Sequence, residues 1–291
     1  MEKEKLFYLF KKSFKEFQND NALTSAAALA FYSLISIAPL VVLIILVGDF
    51  FFDSSVLIGQ FRTFAFNFGG GGAANLADFL SNAAQSRQKG SASIISLLAV
   101  ILGGTALFAH LQDTINRMWG IEKRIRPRKK IAGRIIRKRL MSLFLVFVFV
   151  IIMIASVIAM AIIADINRSN VFFNFSASWN LFVLNVINYA LTLGLVTLFF
   201  ALLFRIFPDK NVSYKDVRFG AFVTAVLFLI SQILIGVYFN YAEFSTGFGA
   251  AGSVIILLVW MYYSAIVFLF GAEFTYVYST EYRSKKKRIK T

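Results

Sequence analysis

The chain has no cysteine, and this absence excludes a disulfide framework, a thiolate metal site and a cysteine nucleophile. Histidine is almost as scarce, because His110 is the single imidazole among 291 residues. Metal-dependent hydrolysis needs clustered His and carboxylate ligands, and a serine nucleophile needs a base in a recognisable motif such as G-x-S-x-G. The sequence has neither pattern, so we predict no enzymatic activity, no catalytic residue, no cofactor and no metal site.

Acidic residues are also few, 15 against 30 Lys and Arg, whereas 58% of the residues are hydrophobic and the mean hydropathy is +0.72. Soluble proteins have a smaller apolar share, so this composition indicates a membrane protein. A helix needs about 20 apolar residues to cross a bilayer. Six stretches are long enough and predict an all-α, polytopic fold with six transmembrane helices: Ala27–Phe50, Ser93–Leu111, Leu140–Ala164, Trp179–Phe207, Phe219–Asn240 and Ser253–Tyr278.

Basic residues are distributed unevenly between the segments that join these stretches. The N-terminal segment has 5, the second loop 11, the fourth loop 4 and the C-terminal tail 6, whereas the first loop has 3, the third 1 and the fifth none. Because positive residues remain on the cytoplasmic side, we expect both termini in the cytoplasm. The pattern predicts three regions, which are residues 1–26 with an amphipathic helix, a transmembrane domain over 27–280, and a basic tail over 281–291.

The densest basic block directly precedes the third predicted span. Nucleic-acid binding favours aromatic platforms or base-reading side chains among the charges, and only Trp119 is near. We therefore expect the cytoplasmic loops to contact anionic lipid headgroups, each basic residue contributing about 1 kcal/mol. We expect no nucleic-acid partner, while envelope proteins or a second copy of the chain stay open as partners.

Two segments outside the spans have an amphipathic pattern. Leu6, Phe10, Phe14 and Phe17 recur at helical spacing near the N-terminus and predict a helix that lies on the membrane surface. In the first loop, two apolar stripes flank the four glycines at 69–72. This pattern predicts two short helices joined by a flexible connector, because a phosphate-binding loop would need a GK[ST] ending.

Glu273 is the clearest charged residue within a predicted span. Such carboxylates cost a few kcal/mol in a membrane and usually face the bundle interior. We predict a polar cluster or gate in which Glu273 pairs with Arg205, or with His110 and Asp113 at the end of the second span. The alternative is that Arg205 and Asp113 extend to the interface and Glu273 makes one structural bond between helices.

Pro39 lies inside the first predicted span, where it removes one backbone donor. The resulting kink is compatible with a polar cavity and with simple helix packing.

Three stretches resemble the YihY/virulence factor BrkB family of bacterial six-span inner-membrane proteins. They are NDNALTSAAALAFYSLISIAPL from Asn19, FPDKNVSYKDVRFGA from Phe207, and FGAAGSVIILLVWMYYSAIVFLFGAEF from Phe248. The resemblance covers nearly the whole chain. The positions that match the family motifs are Asp20, Tyr32, Pro39, Pro208, Asp209, Gly252, Trp260, Tyr262, Gly271 and Glu273.

The resemblance implies a role in the cell envelope and possible movement of lipids or lipid-linked molecules. Members were once labelled ribonuclease BN, which the residues give no chemical reason to expect. We expect a transporter or flippase of lipids or other amphipathic envelope components, with an envelope assembly scaffold as the alternative and a membrane-bound hydrolase as the least favoured reading.

Overall fold

In a computed structural model, residues 2–48, 58–59, 62, 78, 107, 109–121, 177–209, 212, 214–241 and 250–288 are described. The regular structure in these ranges is helical throughout. Within the described ranges, six continuous helices follow in chain order: α1 Glu2–Asn19, α2 Ala22–Gly48, α3 over residues 109–118, α4 Ala177–Ile206, α5 Tyr214–Tyr241 and α6 Ala250–Arg288.

Three of these helices are long and apolar enough to cross a membrane, over Tyr189–Ile206, Tyr214–Tyr238 and Val254–Glu281. A shorter apolar stretch, Ala22–Ser36, begins α2. The all-α fold class is therefore confirmed for the part of the chain that is described. The third predicted span, 140–164, and most of the second lie outside the described residues, so the count of six spans stays a prediction.

The ends of α2, α4 and α5 agree with the predicted apolar stretches to within about five residues, whereas α3 continues past Leu111 to residue 118. The last helix continues to Arg288, past the predicted span end at Tyr278 and the predicted boundary at 280. In this last part, Glu281 accepts a hydrogen bond from Lys12 of α1 at 2.6 Å, and this bond raises the pKa of Lys12. The segment 281–288 is thus a helical extension that contacts the N-terminal helix.

A tight turn at residues 19–21 joins α1 to α2. Asn21 has a φ of 50°, a left-handed conformation that Asn tolerates better than most residues. The Asn21 carbonyl accepts the hydrogen bond from the Ser25 amide at 3.2 Å, which begins α2. This turn therefore separates the N-terminal helix from the first apolar helix.

The starts of α2 and α5 and the ends of α3, α4 and α6 gather at one end of the bundle, which we call the α1 end. α6 lies between α2 and α5, and α4 packs on α5. Ile115 of α3, Phe204 of α4 and Leu269 of α6 are completely buried in one apolar cluster at this end. The predicted topology requires the first and fifth spans to begin at this end and the second, fourth and sixth spans to end there. The directions of the described helices agree with this requirement.

The N-terminal helix was predicted on the membrane surface, and it packs on α6 through part of the predicted apolar stripe, because Phe10 and Phe17 contact Phe270. Leu9, Ser13 and Phe17 are buried and Phe10 is half-buried, whereas Leu6 and Phe14 are exposed. Leu6 is on the same side as Leu9 and Ser13 but one turn nearer the start of the helix, and Phe14 is on the adjacent side.

The predicted pair of helices in the first loop is described only at isolated residues. Arg62 and Asp78, one in each predicted segment, form an ion pair with 3.1 Å between Nε and Oδ2. The glycines at 69–72 lie outside the described residues.

Candidate functional site

Glu273 is buried in α6, with 1% of its surface exposed. Its Oε2 atom has no hydrogen-bond partner among the described residues. The charged groups that act on it are two carboxylates, Asp20 at the α1–α2 turn and Glu16 near the end of α1. Burying a carboxyl near acidic groups, with no ion pair to a cation among the described residues, costs free energy, and such residues usually mark functional sites.

Arg205 does not form an ion pair with Glu273 in the described structure. Its side chain is exposed at the end of α4, and its guanidinium carbon lies 3.2 Å from the centroid of the Tyr214 ring. This arrangement is a cation–π contact at the helix end. It matches the alternative in which Arg205 extends toward the interface.

The residues at the end of the second predicted span contact α2. The rings of His110 and Tyr32 lie 5.4 Å apart, and His110 Nε2 is buried without a partner among the described residues. One helical turn further along α3, Asp113 is half-buried. Across the described ranges, neither His110 nor Asp113 forms a hydrogen bond or ion pair with Glu273.

Trp119, which directly follows α3, contacts α6 next to Glu273. This contact was not predicted from the sequence. Its Nε1 donates a hydrogen bond to the Ala272 carbonyl at 3.2 Å, and its ring stacks on Tyr276 with 5.7 Å between centroids. Glu273 lies between these two α6 contacts in sequence. Trp119 therefore covers the side of α6 next to the buried carboxyl.

The Pro-Asp turn after α4 is held by Asn116 of α3. Asn116 Nδ2 donates to Asp209 Oδ2 at 3.1 Å, and the Asp209 amide donates to Asn116 Oδ1 at 3.0 Å. Gln112 adds a third bond to Asp209, and Pro208 is buried beside it. The motif residues Pro208 and Asp209 thus have a structural role here, and Asn116 is a partner that sequence reasoning missed.

Gly271 allows α5 and α6 to approach very closely. A Cβ placed on Gly271 would lie 2.7 Å from Thr224 Cβ, and a Cβ on Gly220 would lie 2.7 Å from Thr275 Cβ. Each threonine donates to the carbonyl four residues earlier in its own helix, at 2.7 Å in both cases. The stretches GAFVT from Gly220 and GAEFT from Gly271 therefore form a reciprocal crossing, with Glu273 inside the second one.

The remaining motif positions are distributed along the bundle. Trp260 Nε1 donates to Gln232 Oε1 at 2.6 Å, which joins α6 to α5 at a level farther from the α1 end. Tyr262 is half-buried against the main apolar cluster. Pro39 and Gly252 lie within α2 and α6, and their surroundings fall outside the described side chains.

The part of the chain that is described holds no group of three or more His, Asp or Glu side chains placed to bind a metal ion. The polar residues at the α1 end are suited to holding helices together and to presenting one buried carboxyl near the membrane surface.

The family described as Virulence factor BrkB matches residues 13–291 of this chain. A UPF0761 membrane protein of Alteromonas mediterranea is 28% identical over 97% of this chain and 90% of its own length. A UPF0761 membrane protein of Pseudoalteromonas atlantica is 27% identical over 93% of this chain and 85% of its own length. No solved structure matches the chain. The match across nearly the whole length, together with the apolar helices, shows that the chain is a membrane protein and belongs to the Virulence factor BrkB family.

Proposed function

We propose that this protein moves lipids or other amphipathic cell-envelope components across the bacterial inner membrane. The observation that carries the proposal is Glu273, a fully buried carboxyl inside an apolar helix of membrane-spanning length. Its Oε2 has no partner within the described ranges, so a purely structural role does not account for it. Ionisable groups in this setting commonly mark the path of a polar substrate or ion.

The proposed orientation has both termini in the cytoplasm. The uneven distribution of basic residues supports it, and so does the contact of α1 with the last turns of α6 through Lys12 and Glu281. In this orientation the α1 end lies at the cytoplasmic leaflet. The basic cytoplasmic loops would attract anionic headgroups to the same level.

In the proposed mechanism, Glu273 forms a polar gate near the cytoplasmic end of a crevice between helices. Trp119 and Tyr276 cover one side of it, and Phe10 of α1 packs on Phe274 with 4.9 Å between ring centroids. Opening therefore requires α1 or α3 to move relative to α6. The sequence has no Walker motif, so the movement would be driven by an ion gradient, a partner or the lipid gradient itself.

A second candidate function is a non-transporting scaffold for envelope assembly, and the α5–α6 crossing favours it. Gly220 and Gly271 bring the two helices into very close contact, which a rigid assembly platform would use. We propose a non-enzymatic role in either case.

Transbilayer movement of headgroup-labelled lipids in proteoliposomes tests the proposal. The variant Glu273→Gln keeps the size of the side chain and removes its ability to ionise, and Glu4→Gln makes the same change at an exposed residue of α1. We expect the wild type and Glu4→Gln to move lipid and Glu273→Gln to lose most of this activity. Folded protein that moves no lipid under any gradient would exclude the transporter and favour the scaffold.

A further inference from the structure

The N-terminal helix has a second apolar edge that its contact with α6 leaves uncovered. Phe7 is 72% exposed and Phe14 is 55% exposed, and Leu6, which precedes Phe7 on the side of Leu9, is 42% exposed. Positions 7 and 14 are two turns apart on the same side of α1, so their rings form one continuous edge. Aromatic side chains of this size are seldom left in water in such a row.

The depth at which α1 lies identifies what covers this edge. Its rings contact α6 inside the apolar window that ends at Glu281, because Phe10 lies 6.1 Å from Phe270 and Phe17 lies 5.9 Å from the same ring. Phe270 is about three helical turns from the end of that window. A helix beside this part of a membrane-spanning helix has bilayer on its outer side.

The charges along α1 are complementary to an anionic lipid surface. Lys11 and Lys15 are exposed and lie next to the aromatic edge around the helix, whereas Lys12 forms an ion pair with Glu281. An arrangement of Phe and Leu beside Lys is typical of helices that lie in the headgroup layer. The lysines can extend toward phosphates while the rings enter the upper acyl region.

We propose that the Phe7 and Phe14 edge of α1 is a lipid-binding surface that inserts into the anionic leaflet around the bundle. α1 is then held between two partners, α6 on one side and lipid on the other. This proposal does not depend on transport, because a scaffold of the same fold would bind lipid in the same way.

The absence of cysteine makes a direct test possible, since one introduced thiol gives a single labelled site. Nitroxide labels are attached to full-length Phe7→Cys, Phe14→Cys and Glu4→Cys proteins in vesicles of phosphatidylglycerol and phosphatidylcholine. Accessibility to oxygen, which concentrates in lipid, is compared with accessibility to a nickel chelate, which stays in water. Glu4 is the control because it is exposed on the polar side of α1.

We expect the oxygen-to-nickel ratio to be several-fold higher at positions 7 and 14 than at position 4. In a second arm, Lys11→Gln combined with Lys15→Gln should lower the ratio at position 7 in anionic vesicles and leave it unchanged in pure phosphatidylcholine. Nickel accessibility at positions 7 and 14 equal to that at position 4 would overturn the proposal. Strong spin coupling between labels of two chains would also overturn it, because it would show that a second copy covers this edge.

Discussion

The pair formed by Asn116 and Asp209 shows at the residue scale how a loop motif is held. Asn116 is buried and makes two hydrogen bonds to Asp209, one to the backbone and one to the side chain. We expect Asn116→Ala to lower the free energy of unfolding by about 1–3 kcal/mol, because it leaves these groups without partners. Thermal unfolding in detergent measures the change.

The matched control is Asn19→Ala, since Asn19 is exposed and makes one long bond to Glu16 at 3.3 Å. Its effect should stay within about 0.5 kcal/mol. An Asn116→Ala protein as stable as the control would show that the turn after α4 holds without this pair.

Asp20 is expected to make stability depend on pH. Partial burial of its carboxyl and the Glu16 carboxylate raise its pKa above 3.8, against an opposing effect of Arg117. The folded state therefore binds a proton more readily than the unfolded state, so this group contributes stability at low pH that is lost as pH rises through the raised pKa. Asp20→Asn removes this dependence.

The difference in thermal midpoint, Asp20→Asn minus wild type, should consequently increase between about pH 4 and about pH 7. Glu4→Gln should give a constant difference over the same range. A difference for Asp20→Asn that is also constant would mean that the carboxyl has the same proton affinity in both states.

At the scale of elements, the α5–α6 crossing depends on the absence of two side chains. Gly271→Ala places a Cβ against Thr224 Cβ, at 2.7 Å before any relaxation. The helices must separate, and we expect a loss of about 1–3 kcal/mol. The same substitution at Gly236, where no atom lies within 4 Å of the new Cβ, should instead be neutral or stabilise the helix by up to about 1 kcal/mol.

Thermal unfolding of the two variants side by side separates packing from helix propensity. Equal effects of Gly236→Ala and Gly271→Ala would show that close contact at the crossing is not required.

The contact between α1 and α6 provides a second test at this scale, with two leucines on one helix. Leu9 is 4% exposed and Leu6 is 42% exposed. We expect Leu9→Ala to destabilise the detergent-solubilised protein by about 2 kcal/mol and to make α1 more accessible to trypsin. Leu6→Ala should change either quantity little, because Leu6 is exposed although it belongs to the same apolar pattern. A larger effect of Leu6→Ala than of Leu9→Ala would contradict the contact of α1 with α6 through Leu9.

Sequence patterns predicted some features of these elements and not others, for physical reasons. The bounds of α4 and α5 and the start of α6 followed from hydropathy, because the length of an apolar stretch is a local property. The end of α6 and its contact with α1 did not, since an apolar pattern on α1 does not distinguish a membrane surface from a neighbouring helix. The partner against which Gly271 packs was not predicted either, because GAFVT and GAEFT acquire their meaning only when the two helices meet.

For the whole molecule, charge distribution predicted a topology with which the described helices agree. Their antiparallel contacts place the start of α2 and the end of α6 at the same end as α1. The surroundings of Glu273 were less predictable. Its burial follows from its position in an apolar stretch, but the choice of Trp119 and the α1–α2 turn as neighbours depends on contacts between distant segments.

The last prediction concerns the side of the membrane on which the termini lie. Lys12 and Glu281 are 2.6 Å apart, so the N-terminal helix and the end of α6 must share one side. The excess of basic residues there indicates the cytoplasm. Single cysteines introduced at Glu4, at Ser284 and at Gly71 of the first loop are treated in intact spheroplasts with a maleimide that cannot cross membranes. We expect the reagent to modify position 71 at once and positions 4 and 284 only after lysis.

Modification of position 4 and protection of position 284, or the reverse, would contradict the contact between α1 and α6. Modification of both before lysis would keep that contact and invert the orientation.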